Sequence, residues 1–203
     1  DSALKVVETE CKSIGFKSTK LRFSEKGFDT INNLYAEIGN GKPHFSFAGH
    51  VDVVPANKKD WAVDPFAGLI KNNNLIGRGA VDMKSAIACF LSATKSYLEE
   101  NKNFKGKISM LITGDEETYA VNGTKKILKW LKKKRIKVDA CLVGEPTNLK
   151  NLGDSMRIGR RGGFNGIVEV QGKAGHSAWP NRTINPVSGL MQMLTNINKK
   201  VLD

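Results

Sequence analysis

Apolar positions along this chain change period several times, and each change marks an element. Ala3, Leu4, Val6, Val7, Cys11 and Ile14 recur at helical spacing and predict a helix over residues 2–14. Residues 20–38 alternate irregularly and read as strands. Short apolar runs over 44–49, 107–113 and 138–144 read as buried strands. Helical periodicity between them predicts helices over 84–100 and 120–134, with 53–78 left as a loop. Strands alternating with helices predict an α/β fold, a mostly parallel sheet sandwiched by helices.

The pattern changes character after Glu145. Pro146-Thr147-Asn148 is a turn, and Gly159-Arg160-Arg161-Gly162-Gly163 reads as a hinge. Strand alternation over Phe164–Gly172 follows, then His176 and a helix over 185–200. We expect a first domain over 1–161 and the beginning of a smaller α+β domain over 162–203. One strand and one helix bury too little apolar surface to stand alone. The opening helix also resembles the middle of a domain, so the expectation is a chain incomplete at both ends.

Composition adds limits. The 203 residues are 40% hydrophobic, ordinary for a globular protein. No apolar run approaches the ~18 residues of a membrane span, and the opening residues show no charged stretch followed by an apolar one, so no secretory signal is expected. Cys11, Cys89 and Cys141 are odd in number, widely spaced and in apolar contexts, which predicts reduced, buried thiols and a cytoplasmic location. The net charge of +12 raises nucleic-acid binding as a distant alternative. Its densest patch, from Lys125 to Lys137, has Ile127, Leu128, Leu131 and Ile136 interleaved at helical spacing. That is an amphipathic helix with a solvated basic face. No nucleic-acid motif accompanies it, and excess lysine also draws in small anionic substrates.

The candidate chemistry lies where the apolar runs stop. His50 and Asp52 close the run Phe45–Ala48, Glu116 and Glu117 close Ile108–Thr113, and Glu145 closes Ala140–Val143. Asp82 lies in a turn preceded by Gly77 and Gly79. Strand carboxyl ends are where open α/β sheets bind ligands. A single strand-end acid is ordinarily a cap or loop residue; acids at three strand ends, one beside a histidine, repel one another until a cation joins them. One imidazole among carboxylates, with no thiolate, suits zinc, cobalt or manganese. His50 and Asp52 are two apart and share a strand face, so Asp52 can hydrogen-bond the ring. Glu116 and Glu117 are adjacent and point apart: one can bind metal while the other acts as general base. Asp82 can bridge two ions and Glu145 can complete the first shell. Two metals ~3.5–4 Å apart polarise a carbonyl and generate hydroxide. The residues alone thus predict a metal-dependent hydrolase.

The motifs Gly49-His50-Val51-Asp52-Val53-Val54-Pro55, Gly77-Arg78-Gly79-Ala80-Val81-Asp82-Met83-Lys84, Asp115-Glu116-Glu117 and Gly144-Glu145-Pro146-Thr147 resemble, in order, the M20 family of di-zinc amidohydrolases and peptidases. Asn151-Leu152-Gly153-Asp154, Gly159-Arg160-Arg161-Gly162 and Gly175-His176-Ser177-Ala178-Trp179-Pro180 are most similar to its branch of desuccinylases that act on N-succinyl-LL-2,6-diaminopimelate in lysine biosynthesis. Another deacylase of the family, such as an acetylornithine deacetylase, is the alternative. The resemblance implies a zinc-peptidase-like catalytic domain and a lid or dimerisation domain through which a homodimer forms. It implies two Zn2+ per subunit, with Co2+ a possible substitute. His50 and Glu145 would bind the first ion, Asp82 would bridge, and Glu117 would bind the second. Glu116 would be the general base and acid, and Asp52 the partner of His50. The peptide after Asp82 would be cis. Arg160 would hold a substrate carboxylate, and His176 would reach the partner subunit's site and steady the oxyanion. Two positions depart from the pattern: Gly163, where a serine is frequent, and Ser85, where a glycine is usual. No residue here matches the family's second-zinc histidine, which lies further along a longer chain. His44 begins its strand and faces away from the site.

Overall fold

The computed structural model describes residues 2–159, 162 and 166–201. Two compact units divide between Met156 and Arg157. The first opens with α1 (Ser2–Ile14), followed by a hairpin of β1 (Lys17–Glu25) and β2 (Phe28–Asn40) and by β3 (His44–His50). A two-stranded ribbon, β4 (Leu69–Lys71) with β5 (Asn74–Ile76), interrupts the expected loop. Then come α2 (Ser85–Glu100), β6 (Gly106–Thr113), α3 (Thr124–Lys133) and β7 (Ala140–Val143).

The main sheet has the order β1-β2-β6-β3-β7. β3 pairs in parallel with β6 on one side and β7 on the other. β2 is antiparallel to both β1 and β6, so β1 points the same way as the three parallel strands. Strand alternation sends Ile108, Met110 and Ile112 of β6 into one core with Leu34, Ala36 and Phe47, covered by Leu4, Val7 and Cys11 of α1 and Ile87 and Leu91 of α2. Leu111, Tyr35 and Leu21 face the other way and meet Ile127 and Leu131 of α3. Helices thus cover both faces. The chain leaves β3 through α2 to reach β6, then returns through α3 on the opposite face to β7, beyond β3. Strand order therefore reverses around β3, the position where doubly wound sheets open a ligand crevice.

Several expectations change. The irregular 20–38 region is a long, well-registered hairpin whose only irregularity falls between Phe23 and Glu25. Cys11 is buried, but Cys89 on the outer side of α2 and Cys141 on edge strand β7 are exposed. An apolar run marks a strand without saying whether its outer edge is paired, and β7 pairs only with β3 among the described strands.

In the second unit, the described residues 166–172 form no strand; a single bridge joins Lys173 to Ile184. A strand needs a neighbour to accept its hydrogen bonds, and alternation alone supplies none. The expected helix is present as α4 (Pro186–Val201). Among the described residues, no helix is long and apolar enough to cross a membrane.

Candidate metal centre

The ends of β3, β6 and β7 bring the sequence-predicted acids together around one ring. His50, at the end of β3, is 1% exposed. Its Nε2 lies 3.0 Å from Asp82 Oδ1, 3.6 Å from Glu145 Oε1 and 4.0 Å from Glu116 Oε2. Ligand atoms of His50, Asp82 and Glu145 all lie within 4.8 Å of one another, as do those of His50, Glu116 and Glu117. Glu145 is mostly buried, whereas Asp82 and Glu116 are about half exposed.

Burial disfavours a charged His50 ring, but Asp52 and Asp82 outweigh it and push its pKa up to about 9. Glu145 moves up as well, through burial and then through repulsion from Asp82. Carboxylates crowded on one ring nitrogen need a positive charge between them. A proton on the ring supplies one, and a divalent cation would supply it while accepting several oxygens at once. A nitrogen and oxygen donor set that converges and lacks sulfur therefore fits an ion such as zinc.

Asp52 does more than the sequence suggested. His50 Nδ1 lies 3.0 Å from the main-chain oxygen of Asp52 and 3.5 Å from its carboxylate. The other carboxylate oxygen, Oδ2, accepts the amide N–H groups of Glu116 at 2.9 Å and Glu117 at 2.8 Å. Burial raises the Asp52 carboxyl, but His50 and those two amides outweigh it and hold it below the usual range. One side chain thus ties the end of β3 to the loop after β6.

Two neighbours carried no chemical signal in the sequence. Met83 is fully buried, and its Sδ accepts the His50 amide N–H at 3.3 Å. It follows Asp82 through a cis peptide, as the resemblance implied. Lys84 stands near Asp52, Asp82 and Glu117; burial holds its ammonium below the usual range against their attraction. Gly79, at φ 78°, starts the turn that carries Asp82. Its bare Cα leaves room for Val53 and for Lys84 Nζ, which would lie 2.5 and 2.7 Å from an added Cβ. Ser85, one of the departures, donates its hydroxyl to the Ala80 carbonyl.

Arg160 and Gly163 lie outside the described residues. His176, in the second unit, is exposed, and its Nδ1 accepts the Ala178 amide at 3.1 Å. His44 stands at the far end of β3, buried, its ring nitrogens 2.7 Å from the Lys137 carbonyl and 2.8 Å from Ser109 Oγ.

A mixed α/β sheet with a histidine and carboxylates at the ends of its parallel strands defines a class of α/β proteins with a donor cluster suited to a divalent cation. The chain belongs to peptidase family M20/M25/M40, whose profile matches residues 46–201. Among curated relatives, it is 49% identical to succinyl-diaminopimelate desuccinylase of Pelagibacter ubique (strain HTCC1062) over 201 residues, 98% of this chain and 52% of that protein. It is 50% identical to the same enzyme of Parvibaculum lavamentivorans over 202 residues, 99% of this chain and 51% of that protein. The chain thus spans about half the length of these relatives. Among solved structures, human carnosine dipeptidase 1 superposes with a TM-score of 0.62 at 23% identity, covering 70% of this chain and 32% of that one. An M20 family metallo-carboxypeptidase of Sulfolobus solfataricus gives 0.58 at 26% identity, covering 70% and 31%.

Proposed function

We propose that the complete protein is a metal-dependent amide hydrolase that removes the succinyl group from N-succinyl-LL-2,6-diaminopimelate. The products are succinate and LL-diaminopimelate, for lysine and cell-wall synthesis. The observation that carries the reading is the His50 ring, with Asp82, Glu145 and Glu116 converging on its Nε2. The substrate comes from the relatives near 50% identity that bear this name.

In this reading His50, Asp82 and Glu145 would hold the first of two zinc ions, and Asp82 and Glu117 would hold the second. Such ions would supply Lewis-acid chemistry at the scissile carbonyl and the attacking water. Glu116 takes a proton from the attacking water and returns it to the leaving amine nitrogen as the C–N bond breaks. Asp52 holds the His50 ring and both glutamate amides in place. Arg160 grips the distal succinyl carboxylate through its planar fork. His176, on the domain that pairs subunits in a cytoplasmic homodimer, steadies the oxyanion in the partner's site.

Acetylornithine deacetylase is the second reading, and the distal carboxylate separates the two. Turnover of succinylated and acetylated substrates by the metal-loaded complete protein, with Glu116→Gln and Arg160→Lys beside it, tests the assignment. Glu116→Gln should keep its metal and lose ~10²–10⁴ in rate. Arg160→Lys should harm the succinylated substrate selectively. Near-normal turnover by metal-loaded Glu116→Gln overturns the role given to Glu116, turnover of neither substrate by the wild type overturns the hydrolytic reading, and a preference for the acetylated substrate overturns the specificity.

A further inference from the structure

We propose that Asp115 is a positioning residue: it folds the loop after β6 so that Glu116 and Glu117 stand beside His50, without itself touching metal or substrate. The inference rests on the roles proposed above for those two glutamates.

Asp115 is 5% exposed although it adjoins two further acids. Its carboxylate is fully engaged. Oδ1 accepts the Thr118 hydroxyl at 2.6 Å and the Ala120 amide at 3.2 Å; Oδ2 accepts the Asn122 amide at 2.7 Å. Its own amide donates to Thr113 Oγ1 at 3.1 Å. These bonds curl residues 118–122 back around one side chain. A carboxylate so occupied has few lone pairs to offer a metal, and Asp115 belongs to neither of the convergent donor groups.

The far end of the loop is anchored as firmly. Asn122 is completely buried; its side chain donates to the Asp29 carbonyl at 2.7 Å and accepts from Lys126 at 2.6 Å, and its carbonyl accepts from Asn33 at 3.0 Å. Gly123 passes so close that an added Cβ would lie 2.4 Å from the Asp115 carbonyl oxygen and 2.6 Å from Thr113 Oγ1. On the site side, Asp52 Oδ2 takes the amides of Glu116 and Glu117. The catalytic segment is therefore stretched between two carboxylates: Asp52 holds its site side and Asp115 its inner side. Releasing the inner clamp leaves Glu116 and Glu117 held by Asp52 and by the distant Asn122 anchor, with the turn over 118–122 between them no longer folded onto Asp115. Outer carboxylates of this kind typically carry ~10–100-fold in metal affinity or activity.

The test is Asp115→Asn in the complete, metal-loaded protein. The amide keeps one acceptor oxygen but presents an NH2 to a donor. Thr118→Val removes a single donor and serves if the first variant folds poorly. All rates are taken per folded molecule, from near-ultraviolet circular dichroism. We expect kcat to fall ~10–100-fold in Asp115→Asn, with a smaller fall in Thr118→Val. KM should change less than threefold, and the weaker of the two bound metals should be lost first. A kcat per folded molecule equal to wild type in both variants overturns the proposal, as does a loss confined to KM. Glu116→Gln run in parallel separates the failures. If it stays active, the roles assigned to the glutamates fail; if it is dead while Asp115→Asn is not, only the positioning role fails.

Discussion

Gly144→Ala is the smallest change that reaches the metal centre without altering a ligand. A Cβ at this position would lie 2.4 Å from Phe47 Cζ and 2.6 Å from Met83 Cε. Phe47 is 1% exposed and stacks on Phe90 with ring centroids 4.6 Å apart. Met83 is fully buried, is wedged against Gly49 as well, and holds the His50 amide. Met83 Cε ends a flexible chain, but Phe47 is a rigid, buried and stacked ring, so the methyl fits only if that ring or the backbone at 144 moves. Overpacking of this kind costs about 1–3 kcal/mol. Because Glu145 is the next residue, movement of the backbone carries its carboxylate off the His50 ring, and about 1.4 kcal/mol of lost ligand energy is tenfold in Kd. We expect urea unfolding of the complete apoprotein to lose about 2 kcal/mol at an unchanged m-value, and metal affinity to fall about tenfold by competition with a chromogenic chelator. Gly159→Ala is the control, since an added Cβ there meets nothing within 4 Å, and it should stay within about 0.5 kcal/mol of wild type. Wild-type stability and metal affinity in Gly144→Ala would refute the claim that the stacked Phe47 ring resists the methyl.

Three further outcomes follow from the same geometry. Both donor groups of the described residues share His50, whose Nδ1 faces the Asp52 carbonyl; one ring nitrogen serves one ion, so zinc titration of the 203-residue chain should give one tight equivalent, and two would show a further ligand. The Glu37 carboxyl is raised by burial, but Lys107 at 2.8 Å and Tyr35 at 2.6 Å outweigh this and hold it below its ordinary 4.5. A depressed carboxylate adds stability that is full above its unfolded pKa and is lost as pH falls through the folded one, so Lys107→Ala should flatten the acid limb of unfolding free energy against pH; an unchanged limb refutes the pairing. Mixing inactive Glu116→Gln and His176→Ala subunits should restore activity if His176 acts across a dimer, and no rescue in a verified heterodimer would exclude it.

What the sequence could convey was local. The parallel strands read clearly because β3 and β6 each carry a short, mostly apolar run, and a helix-period pattern separates them. The residues that converge on the site read clearly for the same reason: His50, Glu116 and Glu145 each stand where such a run stops, and a strand end is a place in space as well as in sequence. Pairing is non-local, so the registered hairpin of β1 and β2, the open edge at β7 and the absence of a strand over the described residues 166–172 could not be read from alternation. The same holds for Met83, whose value comes from two glycines 34 and 61 positions away on either side in sequence, Gly49 and Gly144, being bare where it packs.

Asp52 shows where residue type stops being informative. Its spacing from His50 correctly places the two together, but spacing cannot say how a carboxylate divides its oxygens. One oxygen stays near the ring at 3.5 Å, and the other is spent 64 and 65 residues away on the amides of Glu116 and Glu117. That division brings Glu116, the proposed general base, and His50, the proposed first ligand, onto one residue: the carboxylate holds the Glu116 amide, and the main-chain oxygen lies 3.0 Å from the ring. A substitution at Asp52 therefore reaches the Glu116–Glu117 loop directly and the His50 ring only through the 3.5 Å carboxylate contact, whereas one at Asp115 reaches the loop without reaching the ring.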